Sequence, residues 1–165
     1  MQNMVDAFSD YARTSELNLQ PVDLNNLLRE VLALYESPAL TIKLDLASKL
    51  PQVMGDKTQL RQVIHNLLQN AQDALADMPA PSILIRTEAQ PNHIQLSIQD
   101  NGSGFPEQLM TRLFEPYVTS KPKGTGLGLA IVKRIVDEHS GVIHIENVKP
   151  HGACVSISLP LARAA

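Results

Sequence analysis

The spacing of apolar residues changes from one segment of this chain to the next, and these changes limit the folds that the chain can adopt. Helical spacing follows Asp23, Asp56 and Leu127. Alternation of apolar and polar residues predicts strands at 41–46, 83–87, 94–98, 142–146 and 154–159. This order of elements predicts an α/β (α+β) fold, a two-layer sandwich with helices gathered on one face of a mixed sheet.

The first twenty residues differ in character from the rest. Residues 4–13 have helical spacing but begin abruptly, like the end of a longer helix. The polar stretch 14–20, followed by Pro21, is typical of a linker. We therefore expect residues 1–20 to be the end of a helix with a linker, and residues 21–165 to form one domain.

Composition excludes several classes of function. An apolar content of 44% and a charged content of 19% are ordinary for a globular domain. A net charge of −3 without a basic cluster argues against nucleic acid as a partner. The single cysteine, Cys154, lies in an alternating strand and is expected to be buried and unreactive; a chain with one cysteine suits a reducing compartment. No apolar run is long enough to span a membrane, and the first residues lack the pattern of a signal peptide.

The segment Gly124-Thr125-Gly126-Leu127-Gly128-Leu129 runs directly into the helical stretch 130–139. Alternate glycines leave backbone N–H groups unshielded, and a helix that starts there directs its positive end towards the loop. Together these features predict a phosphate site. The alternative is a glycine-rich turn that only caps a helix.

The helix that follows Asp56 opens with a capping-box pattern, since Gln59 lies three residues later. Asn66, Asn70 and Asp73 fall on one side of it, away from the leucines. A plain solvated face is the alternative, but such faces favour Lys and Glu, whereas Asn is a poor helix former. Mg²⁺ is usually held by one or two protein oxygens with substrate phosphates, and the Asn70 amide suits that role.

The turn Asp100-Asn101-Gly102-Ser103-Gly104 follows a predicted strand. A buried carboxylate at a strand end can accept a hydrogen bond from the amino group of adenine, and Gly102 and Gly104 allow a tight turn against a flat base. A hairpin turn is the alternative. It is disfavoured because a short helical piece and a long loop follow, rather than a second strand.

Residues 105–123 form a long, weakly structured stretch, which predicts a lid. Its only helical piece lies near 107–113. Phe114, Pro116 and Tyr117 can anchor the stretch. Lys121, close to the glycines, is a candidate phosphate contact, the alternative being a solvated surface lysine.

Four motifs together resemble those of the sensor histidine kinases, in the same order. Residues 66–74 resemble the N box, 100–104 the G1 box, 113–117 the F box and 124–129 the G2 box. Gyrase B, MutL and a heat-shock chaperone share the Asn and the Asp, but the Gly-Thr-Gly-Leu-Gly-Leu form and the Phe-Glu-Pro segment are similar to those of histidine kinases. The resemblance implies the Bergerat fold, with a mixed, mostly antiparallel sheet.

The resemblance also implies a function. The chain is expected to be the ATP-binding catalytic domain of a two-component histidine kinase, with ATP and Mg²⁺ as cofactors. Residues 21–165 then form the catalytic domain, with a lid at 105–123, and residues 1–20 end the hairpin of the dimerisation and phosphoacceptor domain. The γ-phosphoryl group goes to a histidine of that domain, and from there to a response regulator.

The roles of individual residues follow from their places in these motifs. Asn70 is implied to bind Mg²⁺, Asn66 to support the phosphate end, and Asp100 to bind adenine, assisted by Gly104 through water. The backbone N–H groups of the G2 box are implied to bind phosphate. The complete implied nucleotide set is Asn66, Asn70, Asp73, Asp100, Gly102, Gly104, Lys121, Thr125, Gly126, Leu127, Gly128 and Leu129.

The N-terminal pattern, from Met4 to Arg13 and again at 21–24, is similar to that of NtrY- and NtrB-type kinases. None of the five histidines has the context of a phosphoacceptor, so all five are expected to be structural or on the surface, and the chain is expected to bind ATP without phosphorylating itself. We expect a cytoplasmic location, with the parent protein a homodimer and this piece a monomer. Anchorage of the parent in the inner membrane remains open.

Two other functions remain as alternatives. One is an ATPase switch like gyrase or the chaperone, in which a Glu base precedes the metal-binding Asn by four residues. That position is Asn66 here, which cannot accept a proton from water. The other is a degenerate domain that only docks a partner.

Overall fold

The computed structural model describes residues 17–35, 37–115 and 128–162. Its strands are β1 (Gln20–Val22), β2 (Thr41–Asp45), β3 (Val53–Gly55), β4 (Ser82–Ala89), β5 (His93–Asp100), β6 (Val142–Asn147) and β7 (Ala153–Pro160). Its α-helices are α1 (Leu24–Leu32), α2 (Lys57–Ala74) and α3 (Gly128–Glu138). Two 3₁₀ helices span Ala33–Tyr35 and Glu107–Arg112.

The main sheet has five strands in the order β2-β4-β5-β7-β6. Strands β2 and β4 are parallel, and the other neighbours are antiparallel. The prediction of a mixed, mostly antiparallel sheet is therefore confirmed. The strands predicted from alternation are all present, with bounds that differ by one to two residues.

The core lies between the helices and one face of this sheet. In β5, every second residue is buried, and Ile94, Leu96 and Ile98 all belong to the core. Leucines, isoleucines and valines of all three helices pack in the same cluster. The residues between them in β5 are only half-buried, since no helix covers them. The two-layer sandwich is thus confirmed, and the burial of this apolar surface stabilises it.

Aspartates start the first two helices as the sequence predicted. Asp23 accepts a hydrogen bond from the backbone N–H of Asn26 at 3.1 Å. One oxygen of Asp56 accepts from Thr58 and Gln59 at 3.0 and 3.2 Å. Its other oxygen accepts from the backbone N–H of Asn18 at 3.0 Å, so the residue that caps α2 also binds the segment that precedes β1. Each bond satisfies an N–H group that would otherwise lack a partner.

A closed polar triangle joins α1 to the sheet. Thr87 donates to the side chain of Asn25 at 2.9 Å and accepts from the backbone N–H of Ala47 at 2.9 Å. Asn25 donates in turn to the carbonyl of Ala47 at 2.8 Å. Because every polar group in the triangle has a partner, its burial costs little and orients α1 on the sheet.

The structure corrects the linker prediction at its end. Gln20, expected to be the last residue of the linker, belongs instead to β1, which pairs with β3 in an antiparallel two-stranded sheet. Both strands have three residues, too few to show a period. The predicted helix at 4–13, and the rest of the linker as far as residue 16, lie outside the described residues.

The predicted lid is described only in part. Its short helical piece is present as the 3₁₀ helix Glu107–Arg112, and Leu113 after it is buried. Residues 116–127 lie outside the described part of the chain, so the lid remains a prediction. None of the helices within the described ranges combines the length and apolar character needed to cross a bilayer.

Candidate nucleotide-binding site

One wall of the candidate site is formed by the polar side of α2. The helix buries its apolar residues against the sheet, which leaves Asn70 half-buried and Asp73 exposed on the side that faces the loop after β5. Both line a single cavity. Asn66, one turn earlier, does not line that cavity. Its side-chain amide donates instead to the carbonyl of Gly128 at 3.5 Å, which is the limit of a hydrogen bond.

The opposite wall begins at Asp100, the last residue of β5. The alternation of the strand directs its side chain to the helix-covered face, where it is 8% exposed. One carboxylate oxygen accepts the backbone N–H of Gly102 at 2.8 Å. The next residue, Asn101, ties the turn to β4 through its side chain, which bonds the N–H of Ser82 and the carbonyl of Ala80, each at 2.9 Å. The Asp-Asn-Gly segment is therefore not a hairpin turn.

The two glycines of this turn are required for different reasons. A Cβ on Gly102 would lie 2.4 Å from the carbonyl oxygen of Ala74, at the end of α2. Gly102 thus packs the turn onto the helix and lies behind the cavity. Gly104 lines the cavity and has a φ of +79°, a conformation that favours glycine.

The cavity between these walls has a volume of about 300 Å³. This volume lies at the lower end of the range for small-molecule sites. Apolar atoms form most of its surface, and its polar lining includes the Asn70 amide and three carboxylates. The lining residues are Leu67, Asn70, Ala71, Asp73, Ala74, Ala76, Asp77, Met78, Ile98, Asp100, Ser103, Gly104, Phe105, Ala153 and Val155. A flat ring with amino groups at its edge suits such a slot.

The N-terminus of α3 lies next to Asn70. A Cβ added to Gly128, the first residue of the helix, would be 3.9 Å from the amide oxygen of Asn70. The positive end of this helix and the Asn70 oxygen therefore flank the same place. Leu129 is half-buried and packs against the core. The other G2 residues of the predicted set, Thr125, Gly126 and Leu127, lie outside the described residues, as does Lys121.

The histidines occupy structural and surface positions, as expected. His139 is buried, and its Nε2 accepts the backbone N–H of Asp56 at 3.0 Å. Its Nδ1 donates to the carbonyl of Ile135 at 2.7 Å, so the ring connects the end of α3 to the start of α2. His65 bonds the hydroxyl of Tyr35, whose pKa burial raises to about 12.

Cys154 is buried, as predicted, and it does not line the cavity, although Ala153 and Val155 on either side of it do. It is paired with Gln99 of β5 on the face of the sheet that no helix covers. Burial raises the pKa of its thiol, and the Ser156 hydroxyl only partly opposes this effect. A raised pKa leaves little thiolate at neutral pH, which is the opposite of what a nucleophile requires.

Sequence reasoning missed several residues of the cavity. Met78 and Val155 line its apolar surface, and Phe105 follows the glycine turn into it. Phe105 is held by the side chain of Asn147, at the end of β6. Apolar lining residues look like ordinary core in a sequence, and the pairing of Asn147 with Phe105 joins segments that are distant along the chain.

Comparison with known proteins decides the family. Residues 55–163 match the family described as histidine kinase-, DNA gyrase B-, and HSP90-like ATPase, and this match includes both walls of the cavity. The chain belongs to this family. Within it, the chain is an ATP-binding catalytic domain of the histidine kinase type, as its sequence relatives and structural neighbours show.

The sequence relatives are sensor kinases. The chain is 35% identical over 143 residues to sporulation kinase A of Bacillus subtilis (strain 168), which covers 84% of this chain and 23% of that protein. It is 33% identical over 165 residues to a putative sensor histidine kinase, NtrY-like, of Rickettsia felis (strain ATCC VR-1525 / URRWXCal2), which covers 99% of this chain and 28% of that protein. The chain thus spans about a quarter of these relatives. Since sporulation kinase A and NtrY-like kinases both match this chain, the NtrY or NtrB assignment stays a prediction.

Solved structures of this family have the same fold. Full-length ShkA in complex with AMPPNP matches with a TM-score of 0.83 and 30% identity, over 98% of this chain and 36% of that one. The catalytic domain of the histidine kinase ThkA matches with a TM-score of 0.79 and 32% identity, over 87% of this chain and 96% of that one. ThkA in complex with the response regulator TrrA matches with a TM-score of 0.80 and 29% identity, over 96% of this chain and 46% of that one.

Proposed function

We propose that this histidine kinase domain binds ATP with Mg²⁺ and transfers the γ-phosphoryl group to a histidine nitrogen of a dimerisation and phosphoacceptor domain. One observation carries the proposal. Asn70 and Asp100, from segments that are far apart in the sequence, line the same cavity, and the N-terminus of α3 lies beside Asn70.

Recognition of the base falls to Asp100. Its carboxylate is buried among apolar residues and is held by the N–H of Gly102, so it keeps one orientation. A fixed acceptor in a low-dielectric slot binds an amino group strongly. The surrounding aliphatic side chains, among them Ile98 and Val155, are suited to the faces of the purine ring.

The phosphate end fits a magnesium ion held by few protein ligands. Among the described residues, no three His, Cys, Asp or Glu side chains are grouped to hold a metal ion. One amide oxygen, that of Asn70, lies instead beside the helix terminus at Gly128. This donor set suits Mg²⁺, which keeps waters and takes further oxygens from phosphates. When bound, Mg²⁺ would neutralise phosphate charge.

Transfer of the phosphoryl group requires mostly positioning from the protein. The bond from the γ-phosphorus to its bridging oxygen breaks, a bond to the histidine nitrogen forms, ADP leaves, and the imidazole proton passes to solvent. Asn66 cannot act as a base towards water, and its amide is near the carbonyl of Gly128. This arrangement favours an external nucleophile over hydrolysis, and therefore a kinase over an ATPase switch.

The partners belong to the same proposal. The structure of ThkA with TrrA is a complex of a histidine kinase with a response regulator, and it matches 96% of this chain. We propose a response regulator as the onward acceptor, a homodimeric parent protein and a cytoplasmic location. Residues 1–20 are proposed to end the phosphoacceptor hairpin, except that Gln20 already lies in β1.

Calorimetric titration with ATP, with and without MgCl₂, tests the binding part of the proposal. We expect wild type to bind ATP more tightly with Mg²⁺, and Asn70→Ala to lose that gain because it lacks the amide oxygen. Asn26→Ala is the matched control, since Asn26 is an exposed residue of α1 outside the cavity. If wild type does not bind ATP, the domain is a degenerate docking module and the proposal fails.

Incubation of the chain with ATP labelled at the γ-phosphate tests the transfer part. We expect no label on the chain and only slow release of phosphate. Label on one of the five histidines would contradict the proposal that the acceptor lies in another domain. Rapid hydrolysis would instead identify the domain as an ATPase switch.

A further inference from the structure

The last residue of β6 and the turn that follows it, together residues 147–152, contact the glycine turn that follows Asp100. The side chain of Asn147 bonds both backbone polar groups of Phe105. Its amide oxygen accepts the N–H of Phe105 at 2.8 Å, and its amide nitrogen donates to the carbonyl of Phe105 at 2.9 Å. The side chain of Asn147 thus makes the two hydrogen bonds to Phe105 that a neighbouring strand would otherwise make.

The same turn holds the start of the segment. Nδ1 of His151 lies 2.8 Å from the carbonyl oxygen of Asn101 and 3.2 Å from that of Gly102. Both oxygens are acceptors, so Nδ1 carries the proton. The turn itself is closed by a bond from the N–H of Val148 to the carbonyl of Gly152 at 3.0 Å. The segment 101–105 is therefore fixed at both ends.

The two segments approach so closely that neither Gly104 nor Gly152 has room for a side chain. A Cβ on Gly152 would lie 2.1 Å from the carbonyl oxygen of Asp100. A Cβ on Gly104 would lie 2.8 Å from the amide oxygen of Asn147 and 3.0 Å from the carbonyl oxygen of Gly152. Because neither glycine has room for a Cβ, the two segments pack closely, and this packing leaves the glycine turn few alternative conformations.

The residues that this turn holds are those that face the ligand. Gly104 and Phe105 line the cavity, on the wall opposite Asn70. We propose that Asn147 is a positioning residue for the base: its side-chain amide fixes the cavity wall at Gly104 and Phe105 and so sets adenine affinity and selectivity. This inference rests on the proposed binding of ATP. Asn147 is itself exposed, so its effect reaches the ligand only through the wall.

The variant Asn147→Ala removes both bonds to Phe105 without disturbing the core. The loosened wall must then be ordered when the nucleotide binds, which lowers affinity. We expect the Kd for ADP to rise about five- to tenfold, with a small change in melting temperature. Because the wall contacts the base, the ratio of the Kd for GDP to that for ADP should fall. Asn147→Asp keeps the acceptor only, and should give an intermediate Kd for ADP.

Glu146→Ala is the matched control, because Glu146 is the preceding exposed residue and faces His144 at 3.9 Å. It should bind ADP and GDP like wild type. A Kd for ADP within about twofold of wild type in Asn147→Ala, or equal weakening of ADP and GDP, overturns the inference. Failure of the proposed function would be recognised by a different result, namely that wild type itself does not bind ADP.

Hydrogen exchange gives a readout that does not depend on nucleotide. The amide of Phe105 loses its acceptor in Asn147→Ala, so it should exchange faster than in wild type and in Glu146→Ala. Unchanged exchange at residues 102–105 would show that Asn147 does not order the wall, and would overturn the inference.

Discussion

Replacing Asp100 by Asn changes the group that we propose to bind the base and almost nothing else. The two side chains have the same shape, but the amide has one acceptor where the carboxylate has two. The N–H of Gly102 needs an acceptor, and it lies 2.8 Å from one oxygen of Asp100. If the amide oxygen of Asp100→Asn keeps that bond, its NH₂ group takes the place of the other carboxylate oxygen.

The expected loss of affinity follows from this exchange. A hydrogen bond to a charged group contributes about 1.5–3 kcal/mol. A tenfold change in Kd corresponds to about 1.4 kcal/mol, so the Kd for ATP should rise about 10- to 150-fold. The amino group of adenine would also face another donor. Guanine carries a carbonyl at that position, so the Kd for GTP should rise less, or fall.

Calorimetric titration of wild type and Asp100→Asn with ATP and with GTP measures both effects. Urea denaturation of the same samples checks that the variant is folded. Gln99→Ala is the control, because Gln99 lies on the same strand but on the opposite, half-buried face. A folded Asp100→Asn variant with the wild-type preference for ATP would refute the assignment of Asp100 to the base.

Further predictions concern stability. Gly152→Ala should lower the free energy of unfolding by about 2–5 kcal/mol, because φ is +122° and the added methyl group would lie 2.1 Å from a backbone oxygen. Gly128→Ala should change the free energy of unfolding by less than about 1 kcal/mol, because the nearest atom to its added methyl group would be 3.9 Å away. Equal effects of the two variants in urea denaturation would contradict this packing. His139→Ala leaves the buried backbone N–H of Asp56 without an acceptor, so it should lower the free energy of unfolding by about 2–4 kcal/mol. Because His144 is exposed, His144→Ala should lower the free energy of unfolding by less than about 0.5 kcal/mol. Burial raises the pKa of Tyr35 from 10.0 to about 12. The hydroxyl proton is therefore lost at lower pH in the unfolded state than in the folded state. The stability that this difference contributes is fully present below pH 10.0 and should be lost as the pH rises towards 12. Titration of the tyrosine absorbance should show a step near pH 12 that disappears in Tyr35→Phe. The absence of this step in wild type, or its persistence in Tyr35→Phe, would show that the pKa of Tyr35 is not raised.

The sequence by itself determined the α-helices, the five strands of the main sheet and the polar residues singled out for the site. Periods of 3.6 and 2 are local properties, so α2 and β5 could be predicted within a residue or two. Asn70 could be singled out because Asn is a poor helix former, and Asp100 because its carboxylate lies at a strand end and is followed by Gly102 and Gly104. The motif resemblance then assigned these residues to a nucleotide.

Only the tertiary structure decided what lies around these residues. The strands β1 and β3 exist because they pair with each other, and three residues alone carry no signal of that. The reason for Gly102 is the carbonyl of Ala74, and the reason for the wall at Phe105 is the side chain of Asn147. Such contacts join residues that are distant in the sequence, and their energies depend on distances of a few tenths of an ångström. Local periodicity contains no information about those distances, because they are set only when the helices and the sheet pack together.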